Sequence, residues 1–215
     1  MQRKDRLRKM VVMAFLAAIA YIIVALVRVP VVLFLSYEPK DVVITIGGFL
    51  LGPVAAFVIS LLVSLLEMVT ISQTGPIGCI MNLISTCSFA CVAAVIYKKK
   101  HSLWGAIWGL LAGSVAMIAV MILWNWLITP MYMGVTRDAV EGMLLPVFLP
   151  FNALKAGLNS ALTLGLYKPL TGALRGAKLL PPSQAKRGAK VGIYLVAAFL
   201  LAVCVLLLLV YQGKI

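Results

Sequence analysis

Charged residues are scarce in this sequence of 215 residues. Only 12% of the residues are charged, six side chains are acidic and there is a single histidine, whereas 63% of the residues are hydrophobic. A soluble domain of this size could not carry such a composition on its surface, because too few polar side chains remain to face water. The sequence therefore predicts an integral membrane protein that contacts the lipid bilayer.

Motifs that support catalysis or energy conversion are also missing. The sequence has no G-x-x-x-x-G-K-[ST] phosphate loop, no His-Glu metal motif, no motif of a serine or cysteine nucleophile with its base, and no inverted repeat like those of secondary transporters. The four cysteines lie inside apolar runs without a histidine nearby, so we interpret them as small buried hydrophobic side chains rather than metal ligands. We therefore expect a protein that is not an enzyme and holds no metal or cofactor.

The nineteen basic residues give the chain a net charge of +13, and most of them lie between the apolar runs. In a membrane protein such residues mark the cytoplasmic side rather than a nucleic-acid site. With a cytoplasmic amino terminus and seven helices, fourteen of the nineteen fall on the cytoplasmic side. We therefore expect a multi-pass cell-membrane protein with its amino terminus in the cytoplasm and no nucleic-acid partner.

Five apolar stretches are long enough to cross a bilayer, which takes about 20 helical residues. They are residues 10–27, 77–97, 103–129, 145–167 and 191–211. A further stretch, 41–71, would be about 46 Å long as one helix at about 1.5 Å per residue. The Gly52-Pro53 pair near its middle would interrupt the backbone hydrogen bonds of such a helix. We therefore predict two helices over 41–71 and seven helices in all.

These seven helices divide the chain into three parts. Residues 1–175 are expected to form a six-helix core that carries the function. Residues 176–190 form a basic cytoplasmic linker that contains Pro181-Pro182, and residues 191–215 form an additional carboxyl-terminal transmembrane helix. The predicted fold class is an all-α integral membrane protein, made of a six-helix bundle and this extra helix.

Polar side chains that are costly inside a membrane gather at the predicted outer end of the bundle. The acidic residues Glu38, Asp41, Asp138 and Glu141 fall in outer loops, and Glu67 lies near the outer end of the third helix. Four further polar residues lie within the helices at a similar depth: Asn82, Asn125, Asn152 and Lys155. This convergence predicts a polar site at the outer end.

Lys155 is the most informative of these residues. An ionisable side chain within a membrane span costs several kcal/mol unless it is paired or faces water or a ligand. Asn152 and Lys155 are three residues apart, so they share one face of their helix, which favours a common ligand site. Two other interpretations remain open: an ion pair of Lys155 with Glu67 or Asp41 that locks the bundle, and interhelical hydrogen bonds of the asparagines.

Aromatic residues collect at the same end, and most of them are expected to form an interfacial belt. Some would form the apolar walls of a pocket with convergent amides and one cation, which suits a flat heteroaromatic ligand. On the first helix, Ala14 and Ala18 are small residues at four-residue spacing, which permits close approach of another helix. We expect these two alanines to dock another membrane subunit. Glycine and alanine rows on the fifth and sixth helices are expected to pack within the chain.

Four segments carry a resemblance to a known family. They are Tyr37-Glu38-Pro39-Lys40-Asp41-Val42, the turn at residues 47–53, the Asn-Trp…Pro-x-Tyr stretch at residues 125–134, and Leu149-Pro150-Phe151-Asn152-Ala153-Leu154-Lys155. In these segments the sequence resembles the substrate-binding S components of bacterial energy-coupling factor (ECF) vitamin transporters, and specifically their riboflavin-specific type. The resemblance extends over residues 8 to about 172.

This resemblance implies a six-helix core that captures riboflavin as its transported ligand at the outer face. Asn125, Asn152 and Lys155 would hydrogen-bond the vitamin, and the first outer loop, including Asp41, would close over it. The candidate ligand-binding residues are thus Asn125, Asn152, Lys155, Asp41, Asn82, Glu67, Tyr37 and Phe151. The implied partners are a transmembrane coupling subunit, docked at Ala14 and Ala18, and two ATPase subunits. The seventh predicted helix has no counterpart in the usual six-helix plan.

Three other functions remain as alternatives at this stage. The same scaffold serves S components for other ligands, so another vitamin or a purine-like molecule is the first. An intramembrane enzyme with Glu67 and Lys155 as acid and base is the second, although no nucleophile or metal ligand accompanies them. A purely structural or assembly protein is the third.

Overall fold

The computed structural model describes residues 2–72 and 74–179, together with positions 197, 198, 200–202, 204, 205 and 209, and describes side chains from residue 6 onward. Helices account for nearly all of it, as the hydropathy predicts. They are α1 (Gln2–Leu26), α2 (Lys40–Leu51), α3 (Pro53–Thr70), α4 (Gly75–Lys99), α5 (Leu103–Met133), α6 (Arg137–Met143) and α7 (Leu149–Gly176). A π-helical turn, Leu144–Phe148, joins α6 to α7 without a break, so these elements form six helical rods.

The structure divides the 41–71 stretch into two helices where the sequence predicts the division. Helix α2 ends at Leu51, and Gly52 has a φ of +98°, a backbone conformation that favours glycine. Pro53 then begins α3, where its missing amide hydrogen removes no helical bond. Although α2 has only 12 residues, ten of them are buried, because α1, α3, α4 and α7 surround it.

Five described helical segments are long and apolar enough to cross a bilayer. They are Arg6–Leu26, Pro53–Thr70, Gly75–Lys99, Leu103–Met133 and Arg137–Gly176. The last begins eight residues earlier than the predicted helix 145–167, because Thr136 caps α6 by accepting a hydrogen bond from the Ala139 amide. Pro146 has no amide hydrogen to donate, and the backbone accommodates it in the π-helical turn.

Among the described elements, helices α4 and α5 share the most extensive contact, and they meet at the predicted glycine row. A Cβ atom at Gly109 would lie 2.7 Å from the carbonyl oxygen of Ala93, and one at Gly113 would lie 2.5 Å from that of Phe89. The two backbones can approach this closely only because both positions lack a side chain. The predicted packing of this row within the chain is thereby confirmed.

Residues 29–37, which the sequence analysis left without secondary structure, form a β-hairpin. Strand β1 (Val29–Val32) pairs antiparallel with β2 (Leu35–Tyr37), and Val29 lies opposite Tyr37. The hairpin packs onto α6 and the π-helical turn in a buried cluster that includes Leu35, Val140 and Phe148. It therefore covers one end of the helical bundle.

Most of the predicted carboxyl-terminal helix, 191–211, and most of the linker, 176–190, lie outside the described residues. The described positions between 197 and 209 are helical. Among them, Cys204 is buried in a cluster with Tyr37, Leu154 and Leu158. The division of the chain into core, linker and extra helix stays a prediction.

Candidate ligand-binding site

A cavity of about 340 Å³ lies beneath the hairpin and between α4, α5 and α7. This volume falls in the range of small-molecule sites, which runs from about 300 to 1,000 Å³. Its apolar wall includes Phe34, Met81, Tyr132 and Phe151, and its polar wall includes Arg28, Glu38, Asn82, Ser85, Asn152 and Lys155. The cavity therefore combines aromatic surfaces with a few convergent polar groups.

The hairpin forms the roof of this cavity. Phe34, near its turn, packs edge-on against Tyr132 of α5, with ring centroids 5.4 Å apart. The same ring lies 6.4 Å from that of Phe148 in the π-helical turn. The roof is thus held against two separate helical elements by aromatic contacts.

Four of the eight predicted ligand-binding residues line the cavity, namely Asn82, Phe151, Asn152 and Lys155. The other four lie behind its wall. Tyr37, Asp41 and Glu67 contact residues that line the cavity or that support them, whereas Asn125 is held within its own helix. Depth counted along the sequence could not separate these two groups, because it does not tell which neighbour each side chain faces.

Lys155 is both paired with an acidic side chain and in contact with the cavity, the two conditions that make a buried cation tolerable in a membrane span. Its ammonium lies 3.2 Å from Oδ2 of Asp41 and donates to Oγ of Ser85, also at 3.2 Å. An ammonium has three hydrogens to donate, so these two acceptors, which are the partners found among the described residues, leave one hydrogen for a ligand. The ion pair with Asp41 compensates the charge, and the ammonium still reaches the cavity.

Asp41 is fully buried and acts as the support of Lys155. Its Oδ1 accepts a hydrogen bond from Thr86 at 2.7 Å, and its Oδ2 accepts one from Nδ2 of Asn159 at 3.2 Å. The Tyr37 hydroxyl donates in turn to Oδ1 of Asn159 at 3.1 Å. This chain of bonds links the hairpin, α2, α4 and α7 behind the cavity.

The two remaining asparagines have different environments. Nδ2 of Asn152 donates to the Phe148 carbonyl at 2.7 Å, so its amide oxygen is the acceptor offered at the cavity wall. Asn125 donates to the Met121 carbonyl at 2.7 Å and accepts from Thr129 at 2.9 Å. Its amide is therefore satisfied inside α5, one turn beyond Met121, which does line the cavity.

A second ionic cluster, which the sequence analysis did not identify, lies beside the first. The Lys40 ammonium lies 2.7 Å from Oε2 of Glu38 and bonds both carboxylate oxygens of Glu67. Arg28 bonds Oε1 of Glu38 at 2.6 Å, and Nδ2 of Asn82 donates to Oε2 of Glu67 at 3.1 Å. Glu67 therefore pairs with Lys40. Of the two ion pairs that the sequence analysis considered for Lys155, the one with Asp41 is present and the one with Glu67 is not.

Glu38 lies in the connection between the hairpin and α2, outside the membrane spans. Burial favours its neutral form, but the ammonium groups of Lys40 and Lys155 and the guanidinium of Arg28 outweigh burial and lower its pKa from 4.5 to about 2. The carboxylate is therefore ionised at neutral pH. In contrast, burial and the nearby Asp41 raise the pKa of Tyr37, so its hydroxyl stays protonated and donates to Asn159.

Residues 8–167 match the protein family described as "ECF transporter, substrate-specific component". The chain is an ECF S component. This family consists of membrane transporter subunits and not of enzymes, and it places the protein in the cell membrane together with ECF coupling and ATPase subunits. The family recognised from the four sequence segments is thereby confirmed.

This S component is similar to two curated proteins. One is the "Riboflavin transporter RibU" of Staphylococcus aureus (strain TCH60), 25% identical over 177 residues that cover 78% of this chain and 93% of the relative. The other is the "Riboflavin transporter FmnP" of Bacillus subtilis (strain 168), 28% identical over 162 residues that cover 70% and 85% of the two chains.

The fold is similar to a solved structure described as "Structure and mechanism of the S component of a bacterial ECF transporter". The superposition has a TM-score of 0.66 at 27% sequence identity and covers 81% of this chain and 99% of the solved one. The predicted six-helix S-component bundle is therefore confirmed.

Proposed function

We propose that this S component captures riboflavin in the cavity beneath the hairpin and presents it for ATP-driven import. One observation carries the proposal: Asn152 and Lys155, one turn apart on α7, place an amide oxygen and an ammonium at the wall of an aromatic cavity. The pyrimidine edge of a flavin offers an N–H donor between two carbonyl acceptors. The ammonium suits a carbonyl, and the amide oxygen suits the N–H.

The aromatic residues support the same ligand. Phe34 from the roof and Phe151 from α7 both line the cavity, which suits the planar tricyclic ring of a flavin. The names of the two curated relatives agree with this ligand. We propose that the cavity faces the cell exterior and that the amino terminus is cytoplasmic, as the distribution of basic residues predicts.

A binding experiment tests the ligand. The protein is purified in mild detergent, its absorption spectrum is recorded for co-purified flavin, and riboflavin is titrated by fluorescence quenching. We expect saturable quenching of the riboflavin fluorescence, which an excess of thiamine, biotin, pantothenate or adenine does not reverse. Absence of riboflavin quenching, together with direct binding of one of those four molecules in radiolabelled form, would transfer the site to another vitamin or a purine.

We also propose that Ala14 and Ala18 dock the transmembrane coupling subunit. Both side chains are exposed on α1, on a face that the chain itself leaves uncovered among its described residues. Small residues at this spacing permit close contact between helices in a membrane. This surface is separate from the cavity, so docking and ligand capture can be tested independently.

Replacing both Ala14 and Ala18 by tryptophan should abolish co-purification with the coupling subunit, because the bulky rings keep the two helices apart. Riboflavin affinity should stay within about twofold of the wild type, since neither position contacts the cavity. Val115→Trp, at an exposed position of α5, is the matched control and should leave both properties unchanged. Normal complex formation by the double variant would refute the docking surface.

A further inference from the structure

Lys40 is the most deeply buried lysine among the described residues, and the proposed ligand does not explain its position. Its side chain is 1% exposed, and it lies behind the wall of the cavity. Its three ion-pair and hydrogen-bond contacts all go to carboxylate oxygens of Glu38 and Glu67. A buried ammonium needs such partners, because it has lost its hydration.

Stability alone gives no reason for a lysine at this position. Replacing a buried ion pair by apolar side chains of similar size is often neutral or stabilising, because the desolvation of both charges is avoided. The neighbouring residues of α2, Val42 and Val43, are apolar and equally buried. The role of Lys40 is therefore better sought in the positions of the side chains that it contacts.

The first side chain that Lys40 holds is Glu38, which lines the cavity. Oε2 of Glu38 contacts Lys40 at 2.7 Å, and Oε1 contacts Arg28 at 2.6 Å, so both oxygens are held by cations. Glu38 directly follows strand β2, which ends at Tyr37. The position of Glu38 therefore fixes where the roof of the cavity meets α2.

The second side chain is Asn82, on α4, which Lys40 reaches through Glu67. Oε2 of Glu67 contacts the Lys40 ammonium and also accepts the hydrogen bond from Nδ2 of Asn82 at 3.1 Å. This bond sets the orientation of the Asn82 amide, so that its oxygen is the acceptor available at the cavity wall. A rotated amide would offer a donor in its place.

We infer that Lys40 is a positioning residue for ligand capture, because it holds Glu38 and Asn82 on two sides of the cavity in the arrangement that receives the ligand. The inference rests on the proposed binding of riboflavin. The charges around the cavity balance, with the cations Arg28, Lys40 and Lys155 facing the carboxylates Glu38, Glu67 and Asp41. Without Lys40, Glu67 loses its cation and Glu38 keeps only Arg28. An uncharged ligand cannot replace the missing charge, so both carboxylates would leave their present positions.

The test separates positioning from stability with two variants. Lys40→Met should lower both the melting temperature and the riboflavin affinity, the latter by about tenfold, as expected when one well-placed hydrogen bond is lost. The double variant Lys40→Met/Glu67→Met removes both charges and should recover the melting temperature. Its affinity should stay about tenfold weaker, because Asn82 has lost its acceptor and Glu38 has lost one of its two cations.

Three further variants complete the experiment. Lys40→Arg retains the charge and should bind within about threefold of the wild type, since a guanidinium also bonds two carboxylates. The exposed Lys99→Met is the charge-matched control and should change neither property. Asn82→Ala changes no charge, so it should fold, and it should weaken riboflavin binding by about tenfold. In the double variant Lys40→Met/Glu67→Met, the same substitution should weaken binding by less than a further threefold, because Asn82 has already lost its acceptor there.

The outcomes distinguish the inference from the function it rests on. Wild-type affinity in Lys40→Met/Glu67→Met would show that Lys40 acts only on stability and would overturn the inference, as would wild-type affinity in Asn82→Ala. If both methionine variants fail to fold, wild-type affinity in Asn82→Ala still overturns the inference, because Asn82 is one of the two side chains through which Lys40 would act. A wild-type protein that binds no riboflavin contradicts the proposed function instead.

Discussion

Replacing Lys155 by alanine is expected to weaken riboflavin binding by about 100-fold, because it removes a charge-assisted hydrogen bond inside a water-poor cavity. It should also lower the free energy of unfolding by about 3 kcal/mol, because Asp41 would stay buried without its cation. Fluorescence titration measures the first effect and thermal unfolding in detergent the second. Lys99→Ala, at an exposed position, should alter neither property.

The two effects of Lys155→Ala can be separated with a second substitution. Lys155→Met/Asp41→Asn removes both charges. The amide oxygen of the new asparagine can accept from Asn159 and its Nδ2 can donate to the Thr86 hydroxyl, so both groups that hydrogen-bond Asp41 in the wild type keep a partner. Stability should return close to the wild-type value, while riboflavin affinity stays about 100-fold lower. Full recovery of affinity would mean that Lys155 serves only as the partner of Asp41, the structural interpretation that the sequence analysis left open.

The depth of the polar residues was predictable because it depends on counting. A helix rises by a fixed distance per residue, so Asn82, Asn152 and Lys155 could be placed at one end of the bundle before any contact was known. The shared face of Asn152 and Lys155 follows from the same geometry. Asn159, four residues beyond Lys155, lies on that face too, and this spacing could have identified it as part of the site.

The rotation of each helix was not predictable in the same way. Asn125 was predicted to bind the ligand, but its side chain bonds Met121 and Thr129 of its own helix, α5. Which face of α5 is buried depends on its contact with α4, through glycines whose partners lie on another segment of the chain. A single sequence gives the spacing of these residues but not the neighbour that each one meets.

Lys40 and the hairpin were missed for two different reasons. Lys40 lies between Glu38 and Asp41 in what reads as an exposed polar loop, and its second partner, Glu67, is 27 residues away. The hairpin residues 29–37 are nearly all apolar, because the consecutive residues 33–36 line the cavity and Phe34 and Leu35 also pack against the cluster of Val140 and Phe148. The alternation that marks a half-buried strand is therefore absent from the sequence.

The second large effect is expected for Gly113→Ala, which should lower the free energy of unfolding although the same substitution in an exposed helix raises it. In an exposed helix, Gly→Ala stabilises by up to about 1 kcal/mol, because alanine has the higher helix propensity. At Gly113 the added Cβ would lie 2.5 Å from the carbonyl oxygen of Phe89, a backbone atom that cannot rotate away. Gly113→Ala should therefore lower the free energy of unfolding by about 2 kcal/mol, as overpacked cores do.

Riboflavin binding should weaken in the same variant, because the added methyl group forces α4 and α5 apart. Asn82 and Ser85 enter the cavity from α4 and Met121 enters from α5, so their spacing depends on this contact. Gly142→Ala is the matched control, because among the described residues only the two adjacent residues and the local backbone of Gly142's own helix lie within 4 Å of its Cβ position. This variant should be neutral or slightly stabilising. Equal melting temperatures for the two variants would show that the α4–α5 contact tolerates separation and does not set the width of the cavity.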